Sequence, residues 1–214
     1  MDKIQKNAGT AGFATAIFLA LIVILAIASG LDPQTAADPV KALPLMAQSA
    51  TLFTALGLCG ALAGGFGLIF TVGVFGRLRD RAPTRAVAVL ALAIVGITGH
   101  SLGSLLLWRG GQFLVEAVSR DQVAAHHAWV ALNATARGLD GLGSAFTGSS
   151  ILIAGWAITA TRAMSTSLGW VAVLAGVVQL LQLFSAAPPL MLLGLILTIV
   201  WLAWGGSQLR QSRK

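Results

Sequence analysis

The sequence predicts an all-α fold: a polytopic membrane bundle of six transmembrane helices with both termini cytoplasmic. Of 214 residues, 57% are hydrophobic and only 10% are charged, where an ordinary soluble domain carries about 25% charged residues. The mean hydropathy is +0.85, so the few charges cannot cover a water-exposed surface. The apolar residues also gather into six runs, near the roughly 20 residues a helix needs to cross hydrocarbon. The same composition excludes intrinsic disorder. Cys59 is the only cysteine, which excludes an internal disulfide scaffold.

The spans follow in order over one domain, residues 1–214. Ala11–Ser29 is uncharged and stops at Asp32-Pro33. Its basic start (Lys3, Lys6) and its Ala26-Ile-Ala28 resemble a secretory signal. A signal core is only about 7–15 residues long, so a retained helix is expected. Thr51–Phe75 is rich in glycine and ends at the charged turn Arg77-Leu-Arg-Asp-Arg81. Its Gly60-to-Gly64 spacing reads as close helix packing. Ala86–Trp108 follows directly, and Gly141–Thr161 is the most polar span, with Ser144, Thr147, Ser149 and Ser150. Leu168–Phe184 and Leu190–Gly205 form a hairpin around Ser185-Ala-Ala-Pro-Pro189. None of these runs alternates with period two, so helices are favoured over a barrel. Val87-Ala-Val-Leu-Ala91 recurs as Val171-Ala-Val-Leu-Ala175, too short an echo to establish a transporter repeat.

Orientation follows from lysine and arginine. With the N-terminus inside, the inner segments hold Lys3, Lys6, Arg77, Arg79, Arg81, Arg85, Arg162, Arg210, Arg213 and Lys214. The outer segments hold Lys41, Arg109, Arg120 and Arg137, which makes 10 against 4. The net charge of +7 is then a topology signal with some attraction to anionic lipid. No basic stretch forms a separate module, so nucleic acid is not an expected partner. Trp108, Trp156, Trp170, Trp201 and Trp204 fall near span ends, where an aromatic belt belongs. Of the two long outer segments, Leu31–Ala50 carries Pro33, Pro39 and Pro44 and reads as an irregular loop. Arg109–Asp140 has apolar residues at helical spacing (Phe113, Leu114, Ala117, Val118, Val123). It reads as one or two amphipathic helices at the outer interface, between the third and fourth spans.

Candidate site residues are few. His100 is the only histidine inside a span, and Gly96, His100, Ser104 and Trp108 follow at i,i+4 spacing. Counted back from Trp108, His100 lies about 12 Å below the outer edge. An ionisable group there is a ligand or proton site by default; its plainer reading is a neutral imidazole bonded to a serine or carbonyl. Arg137 and Asp140, three residues apart, read as a headgroup or substrate contact, or as a pair anchoring a helix start. Gln179 and Gln182 read as interhelical hydrogen bonders lining a polar cavity. His126 and His127 are adjacent, so they point about 100° apart and do not share a metal as an i,i+4 pair would. They are outer-surface candidates only.

Several chemistries are excluded. A bis-histidine haem needs a second histidine at membrane depth, and a retinal protein needs a lysine within a span; neither is present. Gly141-Leu-Gly-Ser-Ala145 resembles the serine segment of a rhomboid protease. Those enzymes take their base from a later helix, and no histidine follows His127. No catalytic residue, metal or cofactor is assigned.

Taken whole, the chain resembles a family of bacterial six-helix membrane proteins known only as a domain of unknown function. The resemblance lies in Ala11-Gly-Phe13, in Val74-Phe-Gly-Arg-Leu-Arg79, in Ser167-Leu-Gly-Trp-Val-Ala-Val-Leu-Ala-Gly176, and in Trp201-Leu-Ala-Trp-Gly-Gly-Ser-Gln-Leu-Arg210. It covers most of the chain and implies a multi-pass protein of the bacterial cytoplasmic membrane, with no activity and no functional residues. The expectation is therefore a non-enzymatic accessory subunit or lipophilic-ligand-binding protein, partnered by the bilayer and by other membrane proteins or a second copy of itself. A small permease is the alternative if His100, Gln179 and Gln182 line one cavity. A membrane enzyme acting on lipid needs Arg137, Asp140 and His126 or His127 to converge at the outer face.

Overall fold

In the computed structural model, residues 3–30, 32–185 and 187–211 are described. Among them the fold is all-helical. The elements are α1 (Lys3–Ser29), α2 (Pro33–Ala37), α3 (Pro39–Gln48), α4 (Ala50–Leu78), α5 (Pro83–Leu105), a π turn over Leu106–Gly110, α6 (Gly111–Val118), α7 (Gln122–Thr161), α8 (Thr166–Leu181) and α9 (Pro188–Arg210). Five helical stretches are long and apolar enough to cross a membrane: α1, α4, the continuous run Pro83–Val118, α7 and α9. The apolar helix α8 has 16 residues.

The long helices form a closed ring. Each packs on its neighbour in the order α1, α4, α5, α7, α8, α9, and α9 packs back on α1. Three seams, α1–α9, α5–α7 and α7–α8, are closed by glycine, because backbones can touch there only without a Cβ. A Cβ on Gly9 would lie 2.5 Å from Gly206 O, across the α1–α9 seam. One on Gly143 would lie 2.8 Å from the backbone N of His100, across the α5–α7 seam.

Apolar burial is split between the two ends of the ring. At the end where the chain begins and finishes, Phe70, Val74, Leu78, Val89, Ile151, Ile158, Leu168, Trp201 and Leu202 form the main core. At the opposite end Ala42, Leu43, Met46, Phe53, Leu114 and Trp129 form a second cluster, built mostly by α3, α6 and the start of α7. We call these the floor and the cap.

The cap corrects one expectation. Leu31 of the segment Leu31–Ala50 lies outside the described residues, and residues 32–50 hold two short helices rather than an irregular loop. Pro33 and Pro39 each occupy a first helical turn, where the missing N–H costs nothing. Asp32 and Asp38 cap them: Asp32 Oδ1 accepts from the N–H groups of Gln34 (2.8 Å) and Thr35 (2.7 Å), and Asp38 Oδ1 accepts from that of Val40 (3.0 Å). The segment Arg109–Asp140 holds the helix α6 and the beginning of α7. Its first part continues α5 through the π turn into α6, and its second part is the beginning of α7. At 40 residues α7 is about 60 Å long, twice the hydrocarbon thickness. Its far end therefore serves the cap, where Trp129 Nε1 (3.1 Å) and Asn133 Nδ2 (3.1 Å) both donate to Ala36 O.

Candidate functional site

His100 sits on the inward arc of α5. Gly96, Gly99 and Gly103 meet α7, while Ile97, Ser101 and Ser104 meet α4; His100 lies on the arc between these two faces. Stepping by seven residues along that arc gives Ala86 and Ala93, both buried, then His100, then Leu107 beside the cap. The opposite face carries Ile94, Val95, Leu102 and Leu105, all exposed. Ser104 faces α4 across Gly60. The reason is geometric. Each i,i+4 step advances about 40°, so Gly96, His100, Ser104 and Trp108 fan from the α7 side to the α4 side.

Asp140 occupies the matching arc of α7. Leu139 and Gly143 meet α5, and Gly148 and Gly155 meet α8. The seven-residue steps through Asp140 reach Asn133, buried in the cap, and Ala154, buried in the floor. The sequence suggests a helix start at Asp140, but α7 begins 18 residues earlier, at Gln122. The helix dipole therefore gives it no support there.

These two inward side chains meet. His100 Nδ1 and Asp140 Oδ1 are 2.5 Å apart, in ion-pair range. The carboxylate holds a ring proton at Nδ1, which fixes the orientation of the imidazole. The side chains nevertheless keep 37% and 65% of their accessible surface. The pair thus stands on the inward arcs of α5 and α7, between floor and cap along their length, and stays open.

The remaining candidates divide. Arg137 lies one turn capward of Asp140, and its Nε donates to Asn133 Oδ1 at 3.4 Å, further toward the cap. Ser144 and Thr147 continue down α7 toward the floor. Gln179 extends the buried inward row of Leu168, Ala172 and Ala175 on α8; its Nε2 donates to Thr198 Oγ1 of α9 at 2.8 Å. Its Oε1 and the hydroxyl of Thr147 are buried without a protein partner among the described residues. Gln182 Nε2 donates to Leu190 O at 2.9 Å, joining α8 to the start of α9. His126 and His127 stand 14 and 13 residues from Asp140 on one continuous helix, about 20 Å along its axis. They do not converge with it. Among the described residues no three His, Cys, Asp or Glu side chains gather as metal ligands do.

The pairing of His100 with Asp140 is the main feature that sequence reasoning does not reach. The glycines at 96, 99, 103 and 143 are its one sequence signal, since they bring the two helix backbones into contact. Comparisons with protein-family models, with curated proteins and with solved structures gave no match.

Proposed function

We propose that this chain is a non-enzymatic, multi-pass protein of the bacterial cytoplasmic membrane that binds a small lipophilic molecule inside its ring of helices. In this reading α8 completes six spans, both termini lie in the cytoplasm, and the cap and the open pair face outward. The charge asymmetry of 10 lysines and arginines against 4 supports that orientation. The bacterial source rests on the family resemblance.

The observation that carries the binding role is the openness of His100 and Asp140 on inward arcs. Two polar, ionisable groups facing lipid would be costly, and two packed in a sealed core would be shielded. Neither describes this pair. An apolar floor, an apolar cap and one polar pair between them make the usual composition of a small-molecule site. The consequence of binding, whether delivery to another membrane protein or sensing, follows from the ligand.

A small permease is the second reading. It is favoured by Gln179 Oε1 and Thr147 Oγ1, polar atoms without a partner among the described residues and nearer the floor than the pair. Below them the floor is closed by Phe70, Trp201 and Leu202, so passage would need those side chains to part.

The test is to purify the protein in mild detergent, extract it with organic solvent and identify what is carried by mass spectrometry. A small molecule near one per chain is expected, and it should be absent from Asp140→Leu. Identical extracts from both proteins, or no such molecule in either, would contradict the proposal.

A further inference from the structure

We infer that the outer rim of the floor carries a site for an anionic phospholipid, whose phosphodiester is received by Arg85 beside the exposed indole of Trp156. This goes beyond the reading above and stands or falls apart from it, because it concerns the outside of the ring. It needs only that the ring of helices sits in a bilayer.

Four arginines lie at or beside the turn from α4 to α5, and three of them are engaged. Arg77 donates to Gln208 O and Gln211 O on α9 and to Gln5 Oε1 on α1. Arg79 pairs at 3.4 Å with Asp80, the one carboxylate at the floor end among the described residues. Arg81 Nη1 donates to Thr161 O (2.9 Å) and Arg162 O (2.8 Å), holding the turn against the end of α7. Arg85 differs. Its guanidinium lies 5.3 Å from the centre of the Trp156 ring, and among the described residues no acceptor meets its donors. The ring contact is weak at an exposed site and leaves those N–H groups free for a second partner. The pair at the cap end, Arg109 over Trp108, is not equivalent. Arg109 Nη1 reaches Gln112 Oε1 at 3.4 Å, and the Trp108 ring is packed on Gly57.

The surroundings of Arg85 fit a lipid. Trp156 keeps 62% of its surface and stands five residues from the end of α7, about 8 Å along the axis, where interfacial tryptophans sit. Gly155 and Gly169 touch across the α7–α8 seam. On antiparallel helices the residue after each contact turns to the same side, so Trp156 and the exposed Trp170 form one ledge outside the ring. Capward of it, Val87 and Leu174 are exposed and apolar, a surface for acyl chains. Arg162 is exposed at the same end and adds to the positive rim. A phosphodiester brings a negative charge and acceptors that a guanidinium fork can take two at a time. An anionic headgroup keeps that charge, whereas a choline headgroup would set its own cation among the arginines.

The test uses the full chain in a neutral detergent and counts bound lipid by native mass spectrometry, with dioctanoyl phosphatidylglycerol and dioctanoyl phosphatidylcholine as probes. The wild type should hold phosphatidylglycerol in preference. Arg85→Gln should weaken that binding about tenfold. Arg79→Gln removes the same charge from the same turn and should leave it near the wild-type value. Inorganic phosphate should not displace the lipid. A second measurement needs no arginine variant. In nanodiscs, phosphatidylglycerol brominated high on its acyl chains should quench tryptophan fluorescence more than the matching phosphatidylcholine, and Trp156→Phe should lose that excess. Equal binding of the two lipids, or equal weakening by Arg85→Gln and Arg79→Gln, would reduce the site to diffuse charge and overturn it. Displacement by inorganic phosphate, or an excess of quenching that survives in Trp156→Phe, would overturn it as well.

Discussion

Arg77 Nη2 donates to Gln211 O at 2.9 Å, tying the end of α4 to the end of α9. The same nitrogen reaches Gln208 O at 3.3 Å, and Nε donates to Gln5 Oε1 at 3.0 Å. Arg77, with 7% of its residue surface exposed, therefore joins α1, α4 and α9 through one guanidinium. It also supplies donors to terminal carbonyls that no helix can satisfy internally. A lysine has no planar fork with which to serve both partners. Arg77→Lys is expected to cost about 2 kcal/mol and Arg77→Ala about 3 kcal/mol, measured by unfolding in mixed micelles. Wild-type stability in Arg77→Ala would remove Arg77 as the clasp of the ring.

The α5–α7 seam admits a paired test. A Cβ on Gly143 would meet His100 Cγ at 2.8 Å and Gly96 O at 2.9 Å. Backbone atoms cannot step aside, so Gly143→Ala should part the helices at a cost of about 1–3 kcal/mol. At Gly141, two residues away, an added methyl group would meet nothing within 4 Å. Gly141→Ala should instead gain about 0.5–1 kcal/mol by restricting the unfolded chain. Equal effects at the two positions would refute the seam.

Much of this architecture is legible in the sequence, and the reasons it is not complete are physical. Long apolar runs mark the spanning helices because hydrocarbon permits little else. The seven-residue row Ala86, Ala93, His100, Leu107 already puts His100 with small and apolar residues, on an inward face. The two cap helices escape because three prolines suggest a breaker. The repeated Asp-Pro pair at 32–33 and 38–39 is instead a start signal, an N-cap followed by a first-turn proline. Asp140 reads with Arg137 because spacing along one helix is visible in a sequence. Its partner on another helix depends on how two surfaces dock, which no single-chain periodicity encodes.

The cap carries a pH-dependent element outside the spans. The N–H of Thr35, first among several hydrogen bonds, holds the Asp32 carboxyl below the usual carboxylate range. A lowered folded-state value contributes stability above the ordinary range, and that contribution is lost as pH falls through the lowered value. The α2 cap should thus be intact at neutral pH and fail only in acid. At pH 7, Asp32→Ala should speed hydrogen exchange at Gln34 and Thr35. Asp32→Asn should retain most of the protection and lose the acid sensitivity. Unchanged exchange in Asp32→Ala would contradict this.

Ser144 is one turn below Asp140, the partner of His100. Among the described residues no hydrogen bond joins Ser144 to His100, and a serine nucleophile needs its base within reach. The wild-type protein should therefore remain unlabelled by a fluorophosphonate probe. Stoichiometric labelling that vanishes in Ser144→Ala would replace the non-enzymatic reading with a hydrolase.

The central claim is that Asp140 and Ser144 face a hollow that water reaches from one side of the membrane. Single cysteines at 140, 144, 102, 79 and 41, each in a Cys59→Ala background, test it with a membrane-impermeant thiol reagent on oriented vesicles. Asp140→Cys and Ser144→Cys should react from the same side as Lys41→Cys and the opposite side from Arg79→Cys. Leu102→Cys, on the lipid-facing arc of α5, should react from neither. If the cysteines at 140 and 144 are as silent as the one at 102, or react from the Arg79 side, the outward-opening interior site does not exist.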